Sequence, residues 1–164
     1  MQVFILPQKD ALSLAKKSNL THIISISDPE VAAPFDSGWS GAEVLSLKFF
    51  DVTNEEKAKR MNPLYIPTPK IVDKIYLFGR SFEEDSNILI HCMAGISRSP
   101  AAGIISLTPH FGAMGASKVV GSLNIGGESG YKRFFPNNLM IQHFDDLLHF
   151  DGEFFDLIGD AFFK

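Results

Sequence analysis

The chain has 164 residues, 15 Lys and Arg against 19 Asp and Glu for a formal charge of −4, and 45% apolar content that includes 15 phenylalanines. That length and apolar content suffice for one domain with a substantial core, and the charge disfavours a nucleic-acid or polybasic membrane binder, since phosphate backbones are gripped by Lys and Arg. No apolar run reaches membrane-spanning length, the N-terminus MQVFILPQKDALSLAKK lacks the basic start and long apolar core of a secretory leader, and one cysteine forms no internal disulfide, so a soluble, cytoplasmic protein is the expectation.

Residues Val3 to Pro7 (VFILP) predict an edge strand, KDALSLAKK a short helix, and Thr21 to Ser27 (THIISIS) a buried strand, together a parallel crossover. EVLSLKFFD alternates, with Leu45, Leu47 and Phe49 on one face and Ser46 and Lys48 on the other, which puts Asp51 at a strand's C-terminal end. TPKIVDKIYLFGRSF opens on Thr68 as N-cap and Pro69 at the first helical position, then sets Ile71, Ile75 and Phe78 on one face. NILIH is the next buried strand. SRSPAAGIISLTPHFG begins with a similar serine and proline start and predicts a helix interrupted at Pro109, followed by a further helix in ASKVVGSLNI and a glycine-rich turn, GGESG. NNLMIQHFDDLLHF repeats apolar positions at Leu139, Met140, His143, Phe144, Leu147 and Leu148, and GEFFDLIGDAFF continues as a final amphipathic segment. The phenylalanines there read first as core packing and second as a face for a weak dimer or a partner. Strands alternating with helices predict an α/β class: a central, mostly parallel sheet flanked by helices, in one domain over residues 1–164.

The only cysteine, Cys92, ends the NILIH strand where the next helix begins, and ligands of such sheets collect beyond the C-terminal ends of the strands. Gly95 lets the main chain turn close to a ligand, and Ser97, Ser99 and Pro100 suit a helix start. If residues 93–98 curl around one centre, their amides make an anion nest, the helix adds its positive end, and Arg98 closes the ring with a two-pronged grip on phosphate. A thiolate beneath phosphorus would be stabilised by the same groups. A helix end supplies only about 0.3 to 1 kcal/mol, while moving a thiol's titration by three units takes roughly 4 kcal/mol, so converging amides, Arg98 and hydroxyls would have to do most of it.

HCMAGISRS resembles the His-Cys-x5-Arg signature of the cysteine-dependent protein tyrosine phosphatases, in the His-Cys-x-Ala-Gly-x-Ser-Arg-Ser version of compact dual-specificity-like members. The resemblance implies a phosphatase-like fold, Cys92 as nucleophile, and Arg98 with the main-chain amides of Met93, Ala94, Gly95, Ile96 and Ser97 as the phosphate cradle. It further implies Ser99 as the hydroxyl that helps Cys92 leave the phosphoenzyme, and His91 as a residue below the loop that positions it and tunes Cys92. No cofactor is implied. The family's mechanism needs a proton donor on a separate loop. Asp51 is the choice, since it follows the LSLKFF strand and opens the charged segment VTNEEKAKRMNPLYIP; Asp28 and Asp36 are alternatives, and Glu55 or Glu56 would serve if the strand ended later. Lys57, Lys59 and Arg60 read as a solvated loop or as a steering patch for a phosphorylated partner.

A metal site is not expected, because His22, His91, His110, His143 and His149 are scattered and a lone cysteine makes no zinc thiolate cluster. The chemistry expected is phosphomonoester hydrolysis, on a phosphorylated protein or a small phosphoester. Alternatives are a phosphoprotein-binding module that does not turn its ligand over, or a phosphatase of a non-protein phosphoester such as a phosphoinositide or an RNA 5′-phosphate. The cradle positions Met93, Ala94, Ile96 and Ser97 carry no lysine, which favours phosphoprotein or small phosphoester over phosphoinositide.

Overall fold

The computed structural model describes residues 1–123 and 134–162. Among these residues four strands, β1 (Gln2–Pro7), β2 (His22–Ser27), β3 (Glu43–Lys48) and β4 (Asn87–Cys92), form one parallel sheet in the order β1-β4-β2-β3. The two inner strands are the ones written as near-continuous apolar runs, as a sheet covered on both faces requires: every residue of β2, and Ile88 to Cys92 of β4, is buried. VFILP is an edge strand as its proline suggests. Pro7 lies opposite Cys92 in the β1–β4 register, and Ser25 opposite His91 in the β2–β4 register, so these three strands finish along one edge.

Parallel neighbours need a crossover between them. α1 (Gln8–Ala15) serves β1, and α2 (Glu55–Ala58), a 3-10 turn at Pro63–Tyr65 and α3 (Pro69–Gly79) fill the path from β3 to β4. Between β2 and β3, residues 28–42 make the return as a loop, closed by the fully buried ring of Phe35 beneath Trp39. α3 starts as expected, with Pro69 in its first turn and the Thr68 hydroxyl accepting from Ile71 N.

The helix after the cysteine departs from expectation. α4 (Arg98–Ser122) carries Pro109 inside it and leaves helical geometry only at Gly112, where φ is +65°. A proline removes one backbone bond and bends a helix, while a left-handed φ breaks it outright, and glycine tolerates that φ. The break therefore falls at Gly112, not at Pro109, and the helix expected in ASKVVGSLNI is the second arm of α4; Asn124, Ile125 and the GGESG turn lie outside the described residues.

α5 (Asn138–Leu148) buries Leu139, Met140, Ile141 and Phe144, with Leu147 exposed, so the expected stripe is rotated slightly toward Ile141. α6 (Glu153–Phe162) buries Phe154, Ile158 and Phe162 at helical spacing, with Phe154 edge-on to Phe144 and stacked on Phe150. These rings belong to the main core with β4 and α4. Among the described residues, no helix is long and apolar enough to cross a membrane.

Candidate active site

The turn between β4 and α4 is shaped by what presses on it. Gly95 has φ +70°, and a Cβ there would lie 2.6 Å from Pro7 N and 2.7 Å from the Leu6 carbonyl carbon, both backbone atoms at the end of β1. Only glycine fits. Three of the turn's carbonyls are bonded to neighbouring segments: Met93 O accepts from Gln8 N at 3.3 Å, Ile96 O from Phe135 N at 2.8 Å and Ser97 O from Asn137 N at 3.1 Å. With carbonyls held outward, the amides of a tight turn face its interior, which is the construction of an anion nest. Gly95 N follows this rule, donating to Cys92 Sγ at 3.3 Å.

Cys92 is 2% exposed, and its sulfur also lies 3.2 Å from Ser99 Oγ in the first turn of α4. Arg98, 4% exposed, begins that helix. Its Nη1 donates to Asp28 Oδ1 at 2.7 Å and to the Phe49 carbonyl at 2.5 Å, and the guanidinium carbon stands 5.9 Å from the Phe49 ring centre. Among the described residues, the buried Nε has no hydrogen-bond partner. Met93, Ala94 and Ile96 are exposed, Ser97 half-buried and Gly95 buried.

Asp51 stands beyond β3, on the chain's way to α2, and reaches this loop directly. Ser97 Oγ donates to Asp51 Oδ1 at 2.7 Å, and Asn137 Nδ2 donates to the same oxygen at 2.6 Å. The Ser97 hydroxyl, expected to cap α4, is thus engaged by Asp51 and makes no cap bond. The other carboxylates are occupied differently. Asp28 holds Arg98. Asp36 pairs with Lys48 Nζ at 2.8 Å and accepts from Ser46 Oγ and Ala33 N; burial pushes its carboxyl up, but these donors outweigh it and the net shift is downward. Glu55 meets Gln142 and Lys59, and Glu56 meets Arg60 on the exposed surface of α2, which leaves Lys57, Lys59 and Arg60 on that solvated turn.

His91, buried on the sheet face opposite the main core, has Nε2 2.9 Å from Ser25 Oγ and its ring 5.3 Å from that of Phe35. Burial lowers its pKa to about 4 despite opposing influence from the Cys92 backbone and Asp36, so the ring is neutral at neutral pH.

Two residues of the site escaped sequence reasoning in these roles. Asn137 carried only the signal of a helix N-cap, which it is, its Oδ1 accepting from Met140 N at 2.9 Å; its Nδ2 also binds the Val52 carbonyl and Asp51. Asp28 read only as an alternative proton donor, and no local signal marks it as the partner of Arg98.

No protein-family model and no curated protein matches the sequence. Solved structures do match the fold. The human tyrosine phosphatase-like serine/threonine/tyrosine-interacting protein aligns over 91% of this chain and 92% of its own at a TM-score of 0.58 and 21% identity. PTPMT1, solved in complex with PI(5)P, aligns over 98% and 94% at a TM-score of 0.60 and 15% identity, and human DUSP28 over 92% and 95% at 0.54 and 17%. The chain therefore has the protein tyrosine phosphatase-like fold, a mostly parallel central sheet flanked by helices, and carries in it a buried cysteine and an arginine in Cys-x5-Arg spacing.

Proposed function

We propose that the protein is a phosphomonoester hydrolase of the tyrosine or dual-specificity kind, acting through a cysteinyl-phosphate intermediate, with residues 1–164 as one catalytic domain. The observation that carries this is the convergence of Gly95 N and Ser99 Oγ on the Cys92 sulfur, with Arg98 buried at the start of the helix that follows and Asp51 hydrogen-bonded to the same loop. Cys92 attacks phosphorus, and the amides of residues 93–98 with Arg98 match the equatorial oxygens, whose charge needs fixed donors in a site shielded from water. Asp51 gives its proton to the departing oxygen. Both Ser97 and Asn137 bind Oδ1, so Oδ2 is the oxygen that carries the proton. In the second step Asp51 takes a proton from water as that water attacks phosphorus, and Ser99 donates to the departing Cys92 sulfur. His91 supports the loop as a neutral ring rather than transferring protons.

The substrate class we favour is a phosphorylated protein. Met93, Ala94 and Ile96 present apolar side chains at the mouth and no lysine is among residues 93–97, whereas a multiply charged lipid headgroup calls for several cations. The purified protein is expected to hydrolyse an aryl phosphate in excess chelator, and Cys92→Ser to lose turnover while keeping its fold. Equal activity in that variant would remove Cys92 from the mechanism. Retention of tight phosphopeptide binding by the unaltered protein, with turnover absent on every substrate, would make it a binding module instead.

A further inference from the structure

Arg98 is held from outside its own loop. Asp28 is the first residue past β2, and Phe49 the first past β3, so two adjacent strand ends meet one nitrogen of the guanidinium, Nη1, at 2.7 and 2.5 Å. Nothing local to the cradle makes this contact, which joins residues 70 apart in the chain. The grip is at one corner. Nε, buried, is left without a partner among the described residues.

From this geometry we infer that Asp28 is the positioning residue for Arg98: it fixes the guanidinium plane by Nη1 so that Nε stays available to a phosphate oxygen. The inference rests on the reading of the cradle as a phosphate site. Its difficulty is electrostatic, because a carboxylate beside an anion site repels a phosphate dianion. Burial decides which effect wins. The Asp28 side chain is 30% exposed and the Arg98 side chain 4%, so water screens the repulsion at Asp28, while a guanidinium left with only the Phe49 carbonyl on Nη1 would stay largely desolvated and could pivot about that single contact. Orientation outweighs charge, and removal of Asp28 weakens phosphate binding where simple electrostatics would strengthen it.

The test is titration of inorganic phosphate by calorimetry, with aryl-phosphate kinetics alongside, in the full chain and in Asp28→Ala, Asp28→Asn, Arg98→Lys and Asp28→Ala/Arg98→Lys. Asp28→Ala is expected to bind phosphate about tenfold more weakly and to lose turnover. Asp28→Asn, which keeps the acceptor oxygen, should stay within about threefold, and Asp28→Ala should cost less than about threefold once Arg98 is lysine, because the two residues act as a unit. The inference is overturned if Asp28→Ala binds phosphate as tightly as the unaltered chain or more tightly, or if its penalty persists in full beside Arg98→Lys. Should Asp28→Ala not fold, Asp28→Asn decides: phosphate binding tightened by about tenfold would make Asp28 only a nearby charge. A collapse of Asp28→Asn confined to poor leaving groups would make Asp28 the proton donor and overturn the inference in another way. An unaltered chain that neither binds nor hydrolyses phosphoesters would bring down the phosphatase reading itself, an outcome distinct from an indifferent Asp28.

Discussion

At the residue scale the proposed cradle and the acid proposed for it differ in how they are made. Cys92, Gly95, Arg98 and Ser99 lie within one turn and its helix, so their spacing alone announces them. Asp51 meets the loop through Ser97 and Asn137, contacts that span 46 and 86 residues of chain, and Asp28 reaches Arg98 across 70. No local pattern encodes such pairings, which is why Asp51 could be chosen only by its position and Asn137 not at all. The proposed roles predict distinct kinetics. Asp51→Asn should slow hydrolysis of a phosphoester with a poor leaving group by about 10²- to 10⁴-fold and an activated aryl phosphate much less. Asn137→Ala should shift the same leaving-group dependence more weakly and, through loss of the α5 cap, cost about 0.5 to 2 kcal/mol in denaturant unfolding. An unchanged leaving-group dependence in Asp51→Asn would remove it as the acid, and the same signature in Asp36→Asn would name the replacement.

At the scale of elements, the strands were legible because their apolar runs are short and bounded, and α3 because Thr68 and Pro69 punctuate its start. The return from β2 to β3 was not, since residues 28–42 hold Phe35 in the core by tertiary contact without helical periodicity. Pro109 misled for a related reason: the proline is a strong local signal, yet the break waits for a residue that accepts φ +65°. The close contact of α3 with α4 was equally hidden. A Cβ at Gly79 would lie 2.0 Å from the Ser106 carbonyl oxygen, and His110 Nε2 approaches the Gly79 carbonyl at 2.8 Å. Gly79→Ala, harmless in an isolated helix, should therefore push α3 off α4 and destabilise by about 1 to 3 kcal/mol. A chemical-denaturation midpoint equal to that of the unaltered chain would show that the helices separate more freely than this contact implies.

For the whole molecule, the sheet's C-terminal edge gathers Pro7, Asp28, Phe49 and Cys92 from four strand ends. His91 ties this edge to pH. An unfolded histidine titrates near 6.5, while burial holds the native ring to about 4. Above 6.5 both states are neutral and the native state keeps its full stability. As pH falls toward 4 the unfolded chain takes up a proton that the native one refuses, so stability declines through that window, by about 3 kcal/mol for the full shift. His22 and His143, also lowered chiefly by burial, act in the same direction. Denaturant unfolding at pH values across the window should show the decline, and His91→Gln should flatten it; a slope unaltered by that substitution would assign the acid sensitivity elsewhere.

The central claim is that phosphorus passes through the Cys92 sulfur. It is tested most directly by mixing the protein with an activated aryl phosphate, quenching rapidly under denaturing conditions and locating the phosphate by peptide mass spectrometry. Phosphate is predicted on the peptide bearing Cys92, formed as fast as the first burst of released phenol and absent in Cys92→Ser. Steady turnover with no phosphate on Cys92, and a Cys92→Ser variant as active as the unaltered chain, would contradict it.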